Sequence, residues 1–388
     1  MTRLKWSSLL LCLLALLILT MVSSFAFAAD DVYKIGAIFS TTGGGSSLGV
    51  PEKNTVDMLE QEINAAGGIK GHKIQIVFYD DAGDETNARN KASKLISDDK
   101  VSAIIGPTLT GTSLAIVEPV QNASIPLISC AASVKIVEPV ADHKWVFKTP
   151  QSDVLVGDRV VAYLKAHKIT KVAIITAKTP FGASGREQLE KLLPAGGIEI
   201  VAKEEFNEKD PDTLVQLTKI KGTDAQAVIC WSISPGGALV TRNMKTDLKM
   251  DIPLIMSHGV ANMEYITLSG ESANGVVFPA GKMLIASDLP KNDPQRALLV
   301  KYTTDYKAKY GSEPSTFGGH AWDALMLVVN AMKKVGNDPA KIRDEIEKTK
   351  GFVGTGGVFN FSPTEHNGLA KECLVMIKIA NGKWTLSK

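Results

Sequence analysis

The chain has 388 residues, enough for two domains with buried cores, and carries 43 basic against 41 acidic residues, a formal charge of +2. So even a balance gives no electrostatic case for nucleic acid or for an anionic membrane surface as partner. Hydrophobic residues at 45% with aromatics at only 6% fit a Val/Ile/Ala-rich α/β protein.

Residues 1–28 read as a secretory signal peptide. Arg3 and Lys5 give a basic start, Leu9 to Val22 is an almost unbroken apolar run, and Ala26-Phe27-Ala28 supplies the small residues of a cleavage site. The run is short for a membrane span. Cys12 is not a lipidation cysteine, because Leu11 precedes it where a small residue is needed. The expected mature chain, residues 29–388, works outside the cytoplasm as a soluble body. Cys130, Cys230 and Cys373 each sit in an apolar run and read as buried small hydrophobes. No Cys/His spacing suggests a metal site.

From Tyr33 onward short apolar runs alternate with amphipathic stretches. Strands are predicted at Tyr33–Phe39, Lys73–Tyr79, Val101–Ile105 and Ile125–Ser129, and helices at Pro51–Ala66, Glu85–Ser97 and Thr112–Asn122. Continuous Val/Ile runs of this length imply parallel strands covered by helices. The pattern restarts after Phe147-Lys148-Thr149-Pro150. Helices are predicted at Gln151–His167, Gly182–Leu193, Leu214–Ile220 and Gly236–Thr246, and strands at Lys171–Thr176, Ile198–Phe206, Ala227–Cys230, Pro253–Ile255 and Gly275–Pro279. Three helices follow at Pro294–Tyr310, His320–Val335 and Pro339–Lys348. The tail reads as two strands, Glu372–Ile379 and Lys383–Leu386, around the turn Asn381-Gly382. Two α/β lobes with central parallel sheets result, joined by short connections that favour hinge motion.

Catalytic signatures are missing from the sequence: no G-x-S-x-G, no H-E-x-x-H and no Walker lysine. Gly43-Gly44-Gly45 follows the first strand but fails the G-x-G-x-x-G register. The six histidines are scattered, with no pair at metal-ligand spacing. Asp80-Asp81 ends a strand and reads as a solvated strand end in preference to a cation site. An enzyme, a cofactor and a metal are therefore not expected.

More telling is Gly106-Pro107-Thr108-Leu109-Thr110-Gly111-Thr112-Ser113, which joins a buried strand to a helix start. A helix N-terminus offers unpaired N–H groups and a positive dipole end to an anion. Taken alone, plain capping by Ser and Thr explains the turn better. A second small-residue turn, Ser129-Cys130-Ala131-Ala132-Ser133, follows the next strand, and Gly43 to Gly49 lies at the same sheet edge. Open α/β sheets bind ligands at this carboxyl edge.

These segments resemble the type I periplasmic solute-binding proteins of the branched-chain amino acid family, which capture substrates for ABC importers. The resemblance rests on Ile35-Gly36-Ala37 before Thr42-Gly43, on Asn64-Ala65-Ala66-Gly67-Gly68-Ile69-Lys70-Gly71, and on Tyr79-Asp80-Asp81. It continues through Ile105-Gly106-Pro107, Pro126-Leu127-Ile128-Ser129, Phe147-Lys148-Thr149-Pro150 and Ala321-Trp322-Asp323-Ala324. It implies an α/β fold of two Rossmann-like lobes joined by a three-stranded hinge, with residues 29–148 and 281–360 in lobe 1 and residues 149–280 and 361–388 in lobe 2. It also implies a small carboxylate-bearing ligand, an ABC permease of the inner membrane as partner, and a monomer. A ligand-sensing subunit of a signalling receptor, built on the same fold, is the alternative. By the same resemblance Thr110, Ala131, Ala132 and Ser133 hold the ligand carboxylate and Leu48 lines the pocket. Phe181, Trp231, Ser234 and His258 stand at the matching loop positions of the second lobe.

One position departs from the family. Its amino-acid binders carry an acidic residue where this chain matches His258, to pair with the ligand ammonium. Burying an ammonium without such a partner costs several kcal/mol, roughly. Phe181 replaces a usual tyrosine, and Trp231 enlarges the apolar wall. The expected ligand is an aromatic or branched acid lacking the α-amine, with branched-chain amino acids as the rival. A structural role for His258, or service by the nearby Glu264, stays open.

Overall fold

Six of the seven residues from Tyr33 to Phe39 are buried in the first strand, and strands buried on both faces need helices on both sides. The computed structural model describes residues 32–387, so the expected signal peptide and Cys12 lie outside the described residues. The first sheet contains β1 (Tyr33–Phe39), β2 (Ile74–Asp80), β3 (Ile104–Ile105), β4 (Leu127–Ser129) and β5 (Val146–Lys148) in the order β2-β1-β3-β4-β5. Every pair is parallel. The crossovers are α1 (Ser46–Ala65), α2 (Glu85–Ser97) and α3 (Thr110–Ala123).

After β5 the chain enters α4 (Asp153–Ala166) and builds the second sheet from β6 (Lys171–Ala177), β7 (Glu199–Phe206), β8 (Ala227–Trp231), β9 (Leu254–Met256) and β10 (Val277–Gly281). Helices α5 (Pro180–Ala195), α6 (Leu214–Lys221), α7 (Ser234–Arg242) and α8 (Met263–Ser269) connect them. Three helices, α9 (Arg296–Tyr310), α10 (Thr316–Val335) and α11 (Pro339–Glu347), then return to the first lobe. There Ala324 and Val328 of α10 share a buried cluster with Ile35 and Val56. A small hairpin, β11 (Phe352–Val353) with β12 (Val358–Phe359), precedes the tail. The final strands β13 (Leu374–Ala380) and β14 (Lys383–Leu386) join the second sheet antiparallel, completing the order β14-β13-β10-β9-β8-β6-β7.

The predicted two-lobed α/β architecture is the observed one, and the differences are local. Helix α1 begins at Ser46, not Pro51. Proline removes one backbone donor, but the added turn buries Leu48 and seats Gly49 where a Cβ would stand 2.2 Å from the Ser40 carbonyl oxygen. Helix α3 likewise begins two residues early, at Thr110. The strand predicted from Val101 shrinks to Ile104–Ile105, and β5, α8 and the β11–β12 hairpin were not anticipated. Cys130, Cys230 and Cys373 are buried, as expected, and free; burial pushes the Cys373 thiol up to about 12. Among the described residues no helix is long and apolar enough to cross a membrane.

Side-chain amides brace the crossings between lobes. Asn367 donates from Nδ2 to the Pro150 carbonyl at 2.9 Å, Gln151 from Nε2 to the Gly356 carbonyl at 2.8 Å, and Thr149 from Oγ1 to the His320 carbonyl at 2.9 Å. Lys148, fully buried at the first crossing, donates from Nζ to the Pro150 carbonyl at 2.7 Å. Burial lowers its pKa to about 8 despite Asp153 and Glu365 nearby.

Candidate functional site

Three neighbouring strands of each sheet aim their carboxyl ends at one cavity. In the first lobe the turns after β1, β3 and β4 deliver Leu48, Thr108 to Thr110, and Cys130 to Ala132. In the second, the turns after β6, β8 and β9 deliver Phe181, Ile233, and His258 with Gly259. Pro150 from the crossing and Phe317 and His320 from α10 complete the lining of a small cavity of about 40 Å³. Leu48 and Phe317 of one lobe meet Ile233 of the other in a single apolar cluster, with Leu109 and Phe181 packed against it. The lobes are thus closed upon each other.

The polar part of the lining is concentrated at the start of α3. Gly106, at a φ of +85° and with the Ile38 carbonyl oxygen 2.0 Å from where a Cβ would sit, lets β3 turn sharply into this helix. No side chain caps it. Among the described residues, the amides of Thr110, Gly111 and Thr112 find no acceptor in the protein, and neither do those of Ala132 and Ser133 on the adjacent turn. Unpaired donors at the positive end of a 14-residue helix are chemically suited to an anion. Behind them, Thr108 donates from Oγ1 to the Glu52 carboxyl and accepts from the Ser40 amide at 3.0 Å. Glu52 is wholly buried, and desolvation raises its pKa well above the ordinary carboxyl value, against the hydrogen bond from Thr108.

Six of the nine residues singled out in the sequence therefore meet at the cavity: Leu48, Thr110, Ala131, Ala132, Phe181 and His258. The other three stand behind it. Ser133 lies 2.6 Å, Oγ to Oγ, from Ser184 on α5. Ser184 donates to the Asp153 carboxylate, so Ser133 is the donor of that pair. Asp153 also accepts from the Val134 amide at 3.0 Å. The group spans the two lobes. Trp231 is fully buried and backs the wall, its ring centroid 5.9 Å from Phe181 and 6.1 Å from His258. Ser234 donates to the Asn262 side-chain oxygen at 2.7 Å, and that oxygen in turn accepts from the Tyr265 amide at the start of α8.

Among the described residues no acidic one lines the cavity, and Glu264, on α8, is not part of the wall. Desolvation drives the pKa of His258 down to about 3, with the Lys148 charge adding to the effect. His320 is lowered to about 3 by burial first, then by His258 and Lys148. Both rings are neutral near pH 7. Sequence reasoning missed Phe317 and His320. Their i, i+3 spacing at the start of α10 puts them on one helix face, but only the return of α10 to the first lobe brings that face to the cleft. Among the described residues no group of three or more His, Cys, Asp or Glu side chains could hold a metal.

Residues 32–383 match the family described as periplasmic binding protein. The chain is 26% identical to the Leu/Ile/Val-binding protein BraC3 of Rhizobium johnstonii, over 82% of this chain and 84% of that one. Among solved structures, an extracellular ligand-binding receptor from Rhodopseudomonas palustris HaA2 superposes with a TM-score of 0.86 at 30% identity, covering 92% of this chain and 99% of the other. The branched-chain amino acid transporter substrate-binding protein LivJ of Streptococcus pneumoniae, solved with isoleucine, gives a TM-score of 0.81 at 28% identity, covering 91% and 98%.

Proposed function

Because the chain belongs to the periplasmic binding protein family, as the match over residues 32–383 shows, we propose that its cleft takes a small apolar acid without an α-amine. The protein is a type I binding protein of the branched-chain amino acid group, a non-enzymatic solute receptor that serves as the substrate-binding component of an ABC importer. One observation supports the amine-free reading: the cavity wall combines unpaired amide donors with apolar and neutral imidazole side chains and contains no acid. A carboxylate fits the amides around Thr110 and Ala132, and an aromatic or branched body fits Leu48, Phe181, Ile233 and Phe317. An ammonium would be stripped of water with no counter-charge, at a cost of several kcal/mol, roughly.

In this reading lobe 1 is residues 29–148 with 281–360, and lobe 2 is residues 149–280 with 361–388. The segment around Phe361 and His366 stays stacked on Phe147 of the first sheet before the chain joins the second. Binding shifts an open–closed equilibrium, and the closed monomer docks on the permease from the periplasmic side, which it reaches through the signal peptide. The isoleucine held by the Streptococcus pneumoniae relative supports a second reading, capture of a branched-chain amino acid.

Thermal unfolding of ligand-stripped protein against amino acids and their deaminated analogues separates the two. Ligand at about 100 times its Kd adds about 2.7 kcal/mol. Stabilisation by amine-free acids and not by leucine, isoleucine or valine supports the first reading; the reverse pattern sinks it.

A further inference from the structure

Two side chains on the cavity wall narrow the ligand further, in a step that rests on the acid reading above. His258 is 6% exposed and His320 3%. Both line the cavity, one from each lobe. Among the described residues neither ring has a hydrogen-bond partner, and the Nδ1 atom of each is sealed from solvent. Their neighbours are ring edges and faces: Phe181 at 5.6 Å and Trp231 at 6.1 Å from His258, and Phe317 at 6.2 Å from His320, centroid to centroid. The main chain of His320 is pinned by Thr149, next to Pro150, which also lines the cavity. His320 therefore stands at the hinge end of the cleft.

A buried polar atom without a partner is costly, so two in one cavity point to something that pairs with them on binding. Neutral imidazole carries one N–H donor and one bare nitrogen acceptor. A hydrocarbon substituent would leave both rings unpaired. An ammonium or a second carboxylate would enter a wall with no charge to answer it. A hydroxyl group both donates and accepts, and an oxo group accepts from the N–H. Either satisfies the rings without bringing in charge.

We propose that His258 and His320 together read an uncharged hydroxyl or oxo group on the bound acid, which makes hydroxy- and oxo-carboxylates the substrate class. His320 thereby becomes a specificity residue beside His258.

The test is calorimetric titration of ligand-stripped protein with matched sets. One set is 4-methylpentanoate, its 2-hydroxy and 2-oxo derivatives, and leucine. The other is 3-phenylpropanoate, its 2-oxo derivative, 3-(4-hydroxyphenyl)propanoate and phenylalanine. In at least one set an oxygenated member should bind about tenfold or more tighter than its parent acid. That advantage, read as the ratio of oxygenated to parent acid within each protein, should fall below about threefold in His258→Phe and in His320→Phe. Equal binding of parent and oxygenated acids overturns the proposal and leaves the acid reading standing. Tightest binding by the amino acids, or no binding by any acid, overturns both. If a variant misfolds, histidine ¹⁵N spectra of the wild type decide. Oxygenated ligands must shift both imidazoles more than the parent acids do, and equal shifts count against the proposal.

Discussion

The Ser133 hydroxyl of the first lobe donates to the Ser184 hydroxyl of the second at 2.6 Å, and Ser184 in turn donates a hydrogen bond to Asp153. The contact bridges the lobes, because Ser133 follows β4 of the first sheet and Ser184 lies on α5 beside the second. Hydrogen bonds to a charged acceptor contribute about 1.5–3 kcal/mol. Ser184→Ala should therefore leave the fold intact and weaken ligand binding about tenfold, mainly through faster release. Stopped-flow dissociation is the check; an unchanged off-rate would show that the contact adds nothing to closure.

Thr110 is the first residue of α3 and shares its position with amides that have no protein acceptor. Thr110→Ala should weaken every carboxylate ligand by about 1 kcal/mol, regardless of the ligand's body. Loss confined to some ligands would remove Thr110 from the anion site.

His258→Glu places an acid on the wall that has none. Relative affinity should shift towards leucine over 4-methylpentanoate, by about tenfold or more. Unchanged ratios would make His258 a bystander.

Gly185 sits on α5 directly against Trp231, where an added Cβ would come within 2.2 Å of the indole. Overpacking of this kind costs about 1–3 kcal/mol. Gly185→Ala should lower the urea midpoint and displace the indole that backs Phe181 and His258, so affinity falls too. A stable variant with native affinity would mean the wall is softer than its packing suggests.

Burial holds His258 and His320 at pKa values of about 3, against 6.5 for a free imidazole. Below about pH 6.5 the unfolded chain takes up protons that the folded protein refuses, so stability is lost as pH falls from 6.5 towards 3. Each histidine contributes up to about 1.4 kcal/mol per pH unit to that loss. Asp323 opposes it. Its carboxyl is raised to about 7 by burial, against hydrogen bonds from Thr355 and Gly356, so its contribution is complete below about 3.8 and disappears as pH rises through 7. Urea titrations from pH 7 to 4.5 should show a flatter acid limb in His258→Phe/His320→Phe. They should show a steeper one in Asp323→Asn. Parallel curves in all three proteins would contradict the assigned burial.

Much of this was legible in the sequence because apolar runs and glycine turns are local signals. Tyr33–Phe39, Glu85–Ser97 and Lys383–Leu386 have the bounds read from the residues. The turns at Thr110 and Ala131 declare themselves by following buried strands at one sheet edge. Ser133 could not be placed from sequence, because whether its hydroxyl faces ligand or Ser184 depends on how the lobes meet. His320 was invisible for a related reason. It looks like one more core histidine until α10 is seen to return to the first lobe.

That return has a consequence for how the protein is made. Strand β1 starts at Tyr33, yet the helix that covers it with Ala324 and Val328 ends at Val335, and the second sheet is not finished until Leu386. Neither half can seal its interior while the distal part of the chain is still missing, and contacts of such long range form slowly. A nascent chain wired in this order stays unfolded until almost all of it has emerged. If the chain is exported, as its expected signal peptide would require, the order of its strands and helices supplies the delay that threading through a narrow channel needs.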